Sequence, residues 1–301
     1  MVIKNRSKIC LIISAAIIVV ALFLTIIGSG INMGIDFAGG QSVVYKLTKD
    51  TAADKASVEK VLDEMNIGSY TVTVQGSYSN EVNLRLRDVS EDDIETVMND
   101  FQSRIAEKYP DAAFDSRSSV GPVAGAALLK NAIFSVLIAS VLMLIYIAIR
   151  FDLNSGLAAV FGLVHDVLIM LSFMVIFRSI IQMNSSFIAA ALTIVGYSIN
   201  NTIVIFDRIR ENAKKMPTVA REEVANISVK ESLGRTICTT ITTLITIVAL
   251  CILGVASIRE FALPIIVGIL SGVYSANMIN PYVWATLEEK RRARKAAAKK
   301  A

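Results

Sequence analysis

Six stretches of the chain are apolar for about twenty positions or more, the length a helix needs to cross a hydrocarbon layer. They run 9–28, 126–149, 156–177, 186–206, 236–256 and 261–285. Between the first and second, residues 40–118 change to a polar and acidic pattern with short periodicities. Gln41 to Leu47 alternates with period two, as does Val82, Leu84, Leu86 against Asn83, Arg85, Arg87, and Tyr70 to Val74 is rich in β-formers. Ala56, Val58, Val61, Leu62 and Met65 recur with helical period, as do Ile94, Val97, Met98, Phe101 and Ile105 behind a Ser90 cap. Gly76 to Asn80 reads as a turn, Pro110 ends the second helix, and Ala112 to Ser118 supplies a last edge strand.

The order β-α-β-β-α-β predicts a ferredoxin-like fold. The fold class is therefore an α-helical membrane protein of six transmembrane helices. A ferredoxin-like α+β extracytoplasmic domain, 29–125, is inserted between helices 1 and 2. Residues 207–235 form a charged loop and 286–301 a basic tail. Within that loop Pro217 is a break, a separate amphipathic helix is expected over Val219 to Glu231, and helix five begins at Arg235. The first apolar run is too long for a signal peptide, and Gly28-Ser29-Gly30 is not a small-residue cleavage site, so a retained helix is expected.

Charge sets the orientation. Lys4, Arg6 and Lys8 precede helix one, the loop carries Arg208, Arg210, Lys214, Lys215, Arg221, Lys230 and Arg235, and the tail carries Lys290 to Arg292, Arg294, Lys295, Lys299 and Lys300. With six spans these regions share one side, which makes both termini cytoplasmic. The net charge of +4 is then a topology signal and not a nucleic-acid footprint, and the tail is suited to rest on anionic membrane lipid. The three cysteines, Cys10, Cys238 and Cys251, all fall in or at apolar helices and have no metal-ligand spacing.

No nucleotide loop, nucleophile triad or metal site is visible. The chain is not expected to be an enzyme or to bind a cofactor, and Gly28-Ser29-Gly30 fails as a dinucleotide loop because no strand precedes it and Met33 stands at the third glycine position. The candidate chemistry is polar groups at membrane depth, which mark ion or substrate paths by default. His165-Asp166 lies well inside the third span, and Tyr197, Ser198, Asn200, Asn201 and Thr202 interrupt the fourth. Arg235 stands at the cytoplasmic end of the fifth, followed by Thr236, Thr239, Thr240 and Thr243 along one face. In the sixth, Gly268, Gly272 and Ser271, Ser275 at spacing four read as close helix packing rather than chemistry. Asp36 is placed to cap or hydrogen-bond the turn where the chain leaves the first span.

Four motifs carry a family resemblance. GYSINNTIVIFDRIREN, Gly196 to Asn212 with Asp207 and Arg208, resembles the fourth membrane helix of SecF proteins of the SecD/SecF family. GIDFAGG (Gly34, Asp36, Phe37, Gly39 and Gly40 among it) resembles the motif after the family's first helix. The His165-Asp166 pair and Ser232 to Leu244 follow in the family's order. The resemblance implies half of a resistance-nodulation-division transporter in the bacterial plasma membrane. It would pair with SecD as a heterodimer and assist the SecYEG channel in moving a translocating polypeptide with a proton gradient. It also implies that Asn201 stands where the family usually has aspartate, which together with the arginine matching Arg235 is implicated in proton movement. The ion-coupling candidates are thus Asp166, His165, Asn200, Asn201 and Arg235. Two other readings compete. A half-size exporter of small molecules or lipids expects a larger external domain and a second membrane half, neither contained in these residues. A membrane-anchored sensor would not need the polar cluster of the fourth span.

Overall fold

The structure, a computed structural model, describes residues 3–47, 52–75, 80–87, 89–178, 181–254 and 256–298. Of the turn expected at Gly76 to Asn80, residues 76–79 lie outside the described residues, as do the tail lysines Lys299 and Lys300. Six helices are long and apolar enough to cross a membrane. They are α1 (Ile3–Ile26), α5 (Pro122–Arg150), α6 (Leu153–Ile176), α7 (Ser185–Lys215), α8 (Arg221–Leu253) and a last one built of α9 (Ala256–Tyr274), a π-helical turn (Ser275–Ile279) and α10 (Asn280–Ala298). Half or more of the apolar stretch of α6, of α7 and of the last helix is buried, whereas α1, α5 and α8 expose most of theirs.

Between α1 and α5 the chain forms α2 (Ile35–Ala38), β1 (Gly40–Lys46), α3 (Lys55–Glu64), β2 (Tyr70–Gln75), β3 (Glu81–Leu86), α4 (Ile94–Ala106) and β4 (Ala113–Val120). The four strands make one antiparallel sheet in the order β2-β3-β1-β4, with Val43 opposite Leu84 and Leu84 opposite Val72. Because strand side chains alternate, this register gathers Val43, Tyr45, Val72, Val82, Leu84 and Leu86 on one face. There they pack with Val58 and Leu62 of α3 and Ile94, Phe101 and Ile105 of α4. The opposite face carries Thr73 and Arg85, which are buried against Gln182, ahead of α7, and Glu260 of α9.

Two helices differ from the sequence reading. The amphipathic segment expected as a separate helix is the first part of α8, which runs unbroken from Arg221 through Arg235 to Leu253. Pro217 ends α7 territory, but no proline follows it before the span, and Gly234 interrupts nothing. Val224, Ala225 and Ser228 bury this extension against the C-terminal end of α7, where Asn212 Nδ2 donates to Ser228 Oγ at 3.0 Å. In the last helix the π turn widens the spiral by one residue, and Ser7 of α1 donates to the Met278 carbonyl there.

Glycines set how closely the central helices approach. A Cβ on Gly268 would lie 2.3 Å from the Ile194 side chain, and one on Gly272 would lie 3.2 Å from the Ser198 Cα. One on Gly162 of α6 would meet the Asn280 amide at 2.3 Å.

Candidate functional site

Asp166 is fully buried, and its carboxylate joins three helices. Oδ1 accepts from Ser271 Oγ of α9 at 2.7 Å and pairs with His165 Nδ1 at 2.9 Å. Oδ2 accepts from Ser198 Oγ of α7 at 2.5 Å and from Ser275 Oγ in the π turn at 2.8 Å. A fourth helix enters through the imidazole: His165 Nε2 lies 2.8 Å from Ser14 Oγ of α1. With the proton on Nδ1, the neutral ring donates to Asp166 and accepts from Ser14. Tyr274 stacks over the ring at 6.1 Å and donates to the Cys10 carbonyl.

This arrangement has a definite chemical consequence. An ionised carboxylate only accepts hydrogen bonds, and here each oxygen has two donors. A protonated Asp166 would become a donor itself. At least one of its donors would then have to turn and accept, so a proton on Asp166 and the contacts among α6, α7 and α9 are linked. Ser271 and Ser275, which the sequence reading assigned to packing, point at the carboxylate. Packing falls instead to Gly268 and Gly272 on the same helix.

Below the carboxylate lies a second polar layer. Asn280 Nδ2 donates to Thr202 Oγ1 at 3.0 Å, Thr202 donates to the Ser198 carbonyl at 3.0 Å, and Thr236 Oγ1 donates to Asn277 Oδ1 at 3.3 Å. Asn201 is buried in α7, whereas Asn200 is exposed beside Tyr197. The threonine stripe of α8 divides: Thr236 and Thr240 are buried, Thr239 is exposed and bonds its own helix, and half-buried Thr243 bonds its own helix and Tyr197 Oη, the latter at 3.4 Å. Arg235 does not join Asp166. It lines a cavity of about 300 Å³ with Asp207, Arg208, Glu211 and Glu231. There Arg208 bridges Glu211 and Glu231, each at 2.6 Å, and Asp207 pairs with Arg150 at 3.1 Å.

The glycine motif performs a different task at the start of α7. Asp36 does not cap its own turn. Its Oδ2 accepts from the Ser185 amide at 2.7 Å, adding to the Asn184 cap at the start of α7. Gly34 donates its amide to the Met183 carbonyl at 2.8 Å, and buried Phe37 holds α2 down. Gly39 and Gly40 have φ of +77° and +118°, and a Cβ on Gly40 would meet the Leu86 carbonyl oxygen at 2.6 Å, so both positions require glycine.

Beside this motif is a buried charged junction absent from the sequence reading. Arg85 Nη2 of β3 lies 3.2 Å from Glu260 Oε1 of α9, and Asn184 Nδ2 donates to Glu260 Oε2 at 2.5 Å. Gln182 Nε2 donates to Thr73 Oγ1 of β2 at 3.4 Å. Burial pulls the Arg85 guanidinium below its ordinary range, and Glu260 and Asp36 pull it back. The alternation of β3 correctly set Arg85 opposite the Leu84 face. It did not reveal that a membrane helix covers that second face.

Comparison with known proteins places these features in one family. Residues 100–290 match the family model for the protein export membrane protein SecD/SecF, C-terminal, and residues 25–51 match that for the SecD/SecF GG motif. The chain is 36% identical over 276 residues to the protein translocase subunit SecF of Calditerrivibrio nitroreducens, covering 90% of this chain and 89% of that protein. It is 34% identical over 283 residues to the protein translocase subunit SecDF of Bacillus subtilis, covering 93% of this chain but 37% of that longer protein. The crystal structure of SecDF from Thermus thermophilus, described as a translocon-associated membrane protein, superposes with a TM-score of 0.81 at 30% identity. That match spans 95% of this chain and 38% of the SecDF chain.

Proposed function

The chain belongs to the SecD/SecF family of protein export membrane proteins, and from that membership we propose how it works. It is an auxiliary, non-catalytic subunit of the Sec export machinery. It pairs with a SecD subunit in the bacterial plasma membrane and promotes translocation of exported polypeptides through SecYEG, drawing on a proton gradient. Both termini are cytoplasmic, and the α/β unit between α1 and α5 is a ferredoxin-like domain on the outer side. The sheet order β2-β3-β1-β4, with its two helices on one face, supports that domain reading. Pairing with SecD is supported by the Bacillus SecDF relative, of which this chain matches about a third. It is supported also by Tyr197, Asn200 and Thr239, polar groups within membrane helices that this chain leaves exposed. Hydrocarbon is a poor solvent for such groups, and a second helical half would cover them.

One observation carries the ion-coupled part of the reading. Asp166 is a fully buried carboxylate whose charge is met by donors from α6, α7 and α9, so gaining or losing a proton must alter the contacts between them. His165 and Ser14 orient it, while Asn201 and Arg235 act away from the carboxylate. The test is export into inverted membrane vesicles with and without a proton gradient. Asp166→Asn, at matched abundance, is expected to lose the gradient-dependent increment. A full increment in that variant overturns the assignment.

A further inference from the structure

We infer that Arg85 and Glu260 are positioning residues that tie the outer α/β unit to the two helices that enclose Asp166. The inference rests on reading Asp166 as the ion-handling group. Glue between a domain and its support is usually apolar, and a buried ion pair is weak evidence for stability alone. This one sits where geometry gives it another use. α7 carries Asn184 in the junction and Ser198 on Asp166 Oδ2. α9 carries Glu260 in the junction and Ser271 on Asp166 Oδ1. Each of the two helices thus reaches from the same carboxylate to the same ion pair, over about 21 Å in α7 and about 16 Å in α9, which contains Pro264, at the rise of a helix. On this inference a relative shift of α7 and α9 at Asp166 is carried to the distance between Asn184 and Glu260. The sheet is fastened at that point by Arg85 to α9, and by Thr73 to Gln182, which precedes α7.

The junction also has room for a second arrangement. Arg85 Nη1 and Gln182 Oε1 are both buried and have no hydrogen-bond partner. One is a donor and the other an acceptor. Thr73, to which Gln182 is bonded, and Arg85 occupy diagonal positions on neighbouring strands and the same sheet face, within reach of long side chains. A small displacement of α7 against α9 that brings Gln182 Oε1 to Arg85 Nη1 satisfies both. Buried polar groups left unmade are costly, so this alternative pairing gives the junction two discrete states that the Asp166 site can bias.

The test uses the full chain with its SecD partner in membranes, without native cysteines, and Thr71→Cys, half-buried on β2 directly opposite Arg85, as a reporter for an impermeant maleimide added on the outer side. Three results are expected. Labelling is slow when Asp166 is intact and changes by about fivefold or more with Asp166→Asn, the low end of usual site-to-site coupling. With Glu260→Gln, which keeps a side chain able to accept from Asn184, labelling no longer responds to Asp166→Asn. Reversing the pair with Arg85→Glu and Glu260→Arg together restores the response that either change alone removes. A purely structural ion pair would set the labelling rate without making it depend on Asp166. If Asp166→Asn abolishes gradient-driven export yet leaves labelling unchanged, this inference falls and the proposed function stands. If export and labelling are both unchanged, both fall.

Discussion

The prediction that bears hardest on the site compares Asp166 with the hydroxyls around it. Removing one donor, by Ser198→Ala or Ser271→Ala, leaves the carboxylate three partners. Hydrogen bonds between membrane helices are worth about 0.6 kcal/mol on average and about 1.7 kcal/mol at most in double-mutant cycles. Bonds to a charged acceptor lie at about 1.5–3 kcal/mol in water-soluble proteins. A single serine change is therefore expected to cost about 1–2 kcal/mol, and Ser275→Ala less, because its hydroxyl is already shared with the Gly272 carbonyl at 3.2 Å. Asp166→Ala removes the acceptor from three serines and an imidazole and opens a void as well, so we predict the lowest thermal midpoint in detergent for this variant. Asp166→Asn keeps the volume. Its amide can donate to Ser198 and Ser275 once those hydroxyls turn to accept, so the protein should remain folded while gradient-driven export fails. Asn201→Ala removes no charge and should leave more of the gradient response. The reasoning is refuted if Asp166→Asn exports with a full gradient response while Asn201→Ala loses it, or if Asp166→Ala melts like the native chain.

Three further predictions follow from the geometry. Gly162→Ala should lower the thermal midpoint, because its Cβ would lie 2.3 Å from the Asn280 amide and forced overpacking costs about 1–3 kcal/mol; adding Asn280→Ala should recover part of the loss, and additive losses would disprove the contact. Cysteine at exposed Ser116 should react with an impermeant thiol reagent added outside whole cells and cysteine at exposed Thr218 only after the membrane is opened; the reverse pattern would overturn the orientation. In the outer unit, the Tyr70 phenol is pushed up to about 12 by its hydrogen bond to Asp63 and by burial, and Tyr45 to about 12 by burial. Both folded values lie above the ordinary tyrosine value, so their contribution to stability is complete below about pH 10 and is lost as pH rises through about 12. Phenolate absorbance should therefore show both ionising together with alkaline unfolding, and ionisation near pH 10 in the folded protein would contradict the contacts.

Much of the architecture could be read from periodicity. The six apolar runs correspond to the six long helices, and the period-two and helical stretches between the first two correspond to β1, α3, β2, β3, α4 and β4. Boundaries were less legible. Charge density over 207–235 suggested a loop holding a separate helix at Val219 to Glu231, but α7 continues to Lys215 and α8 starts at Arg221, and Asn212, Ser228 and Glu231 bond across the two helix ends. Local propensity does not distinguish a charged loop from a charged helix end held by a neighbour. The π turn at Ser275–Ile279 had no signature at all. It depends on contacts from far along the chain, such as Ser7 on the Met278 carbonyl, that no local pattern encodes.

The site shows the same division more sharply. Asp166 was legible because a carboxylate deep in an apolar run needs an explanation, and it has one whatever the fold. Its partners were not. A serine in a membrane helix bonds its own backbone as readily as anything else, and small residues at spacing four usually mean packing. Ser271 and Gly272 are neighbours in sequence, yet one aims at the carboxylate and the other lets α7 approach; only the rotation of α9 decides which. The neutral residue at position 201 fits this arrangement. Ser198 is bound to Asp166, and a carboxylate at Asn201, one turn further along the same helix, would bury a second charge in α7. Like charges in a low-dielectric interior resist ionising together. On the proposed reading Asp166, completed by hydroxyls from its neighbours, is the group that holds the proton, and Asn201 keeps the polarity of α7 without a charge of its own.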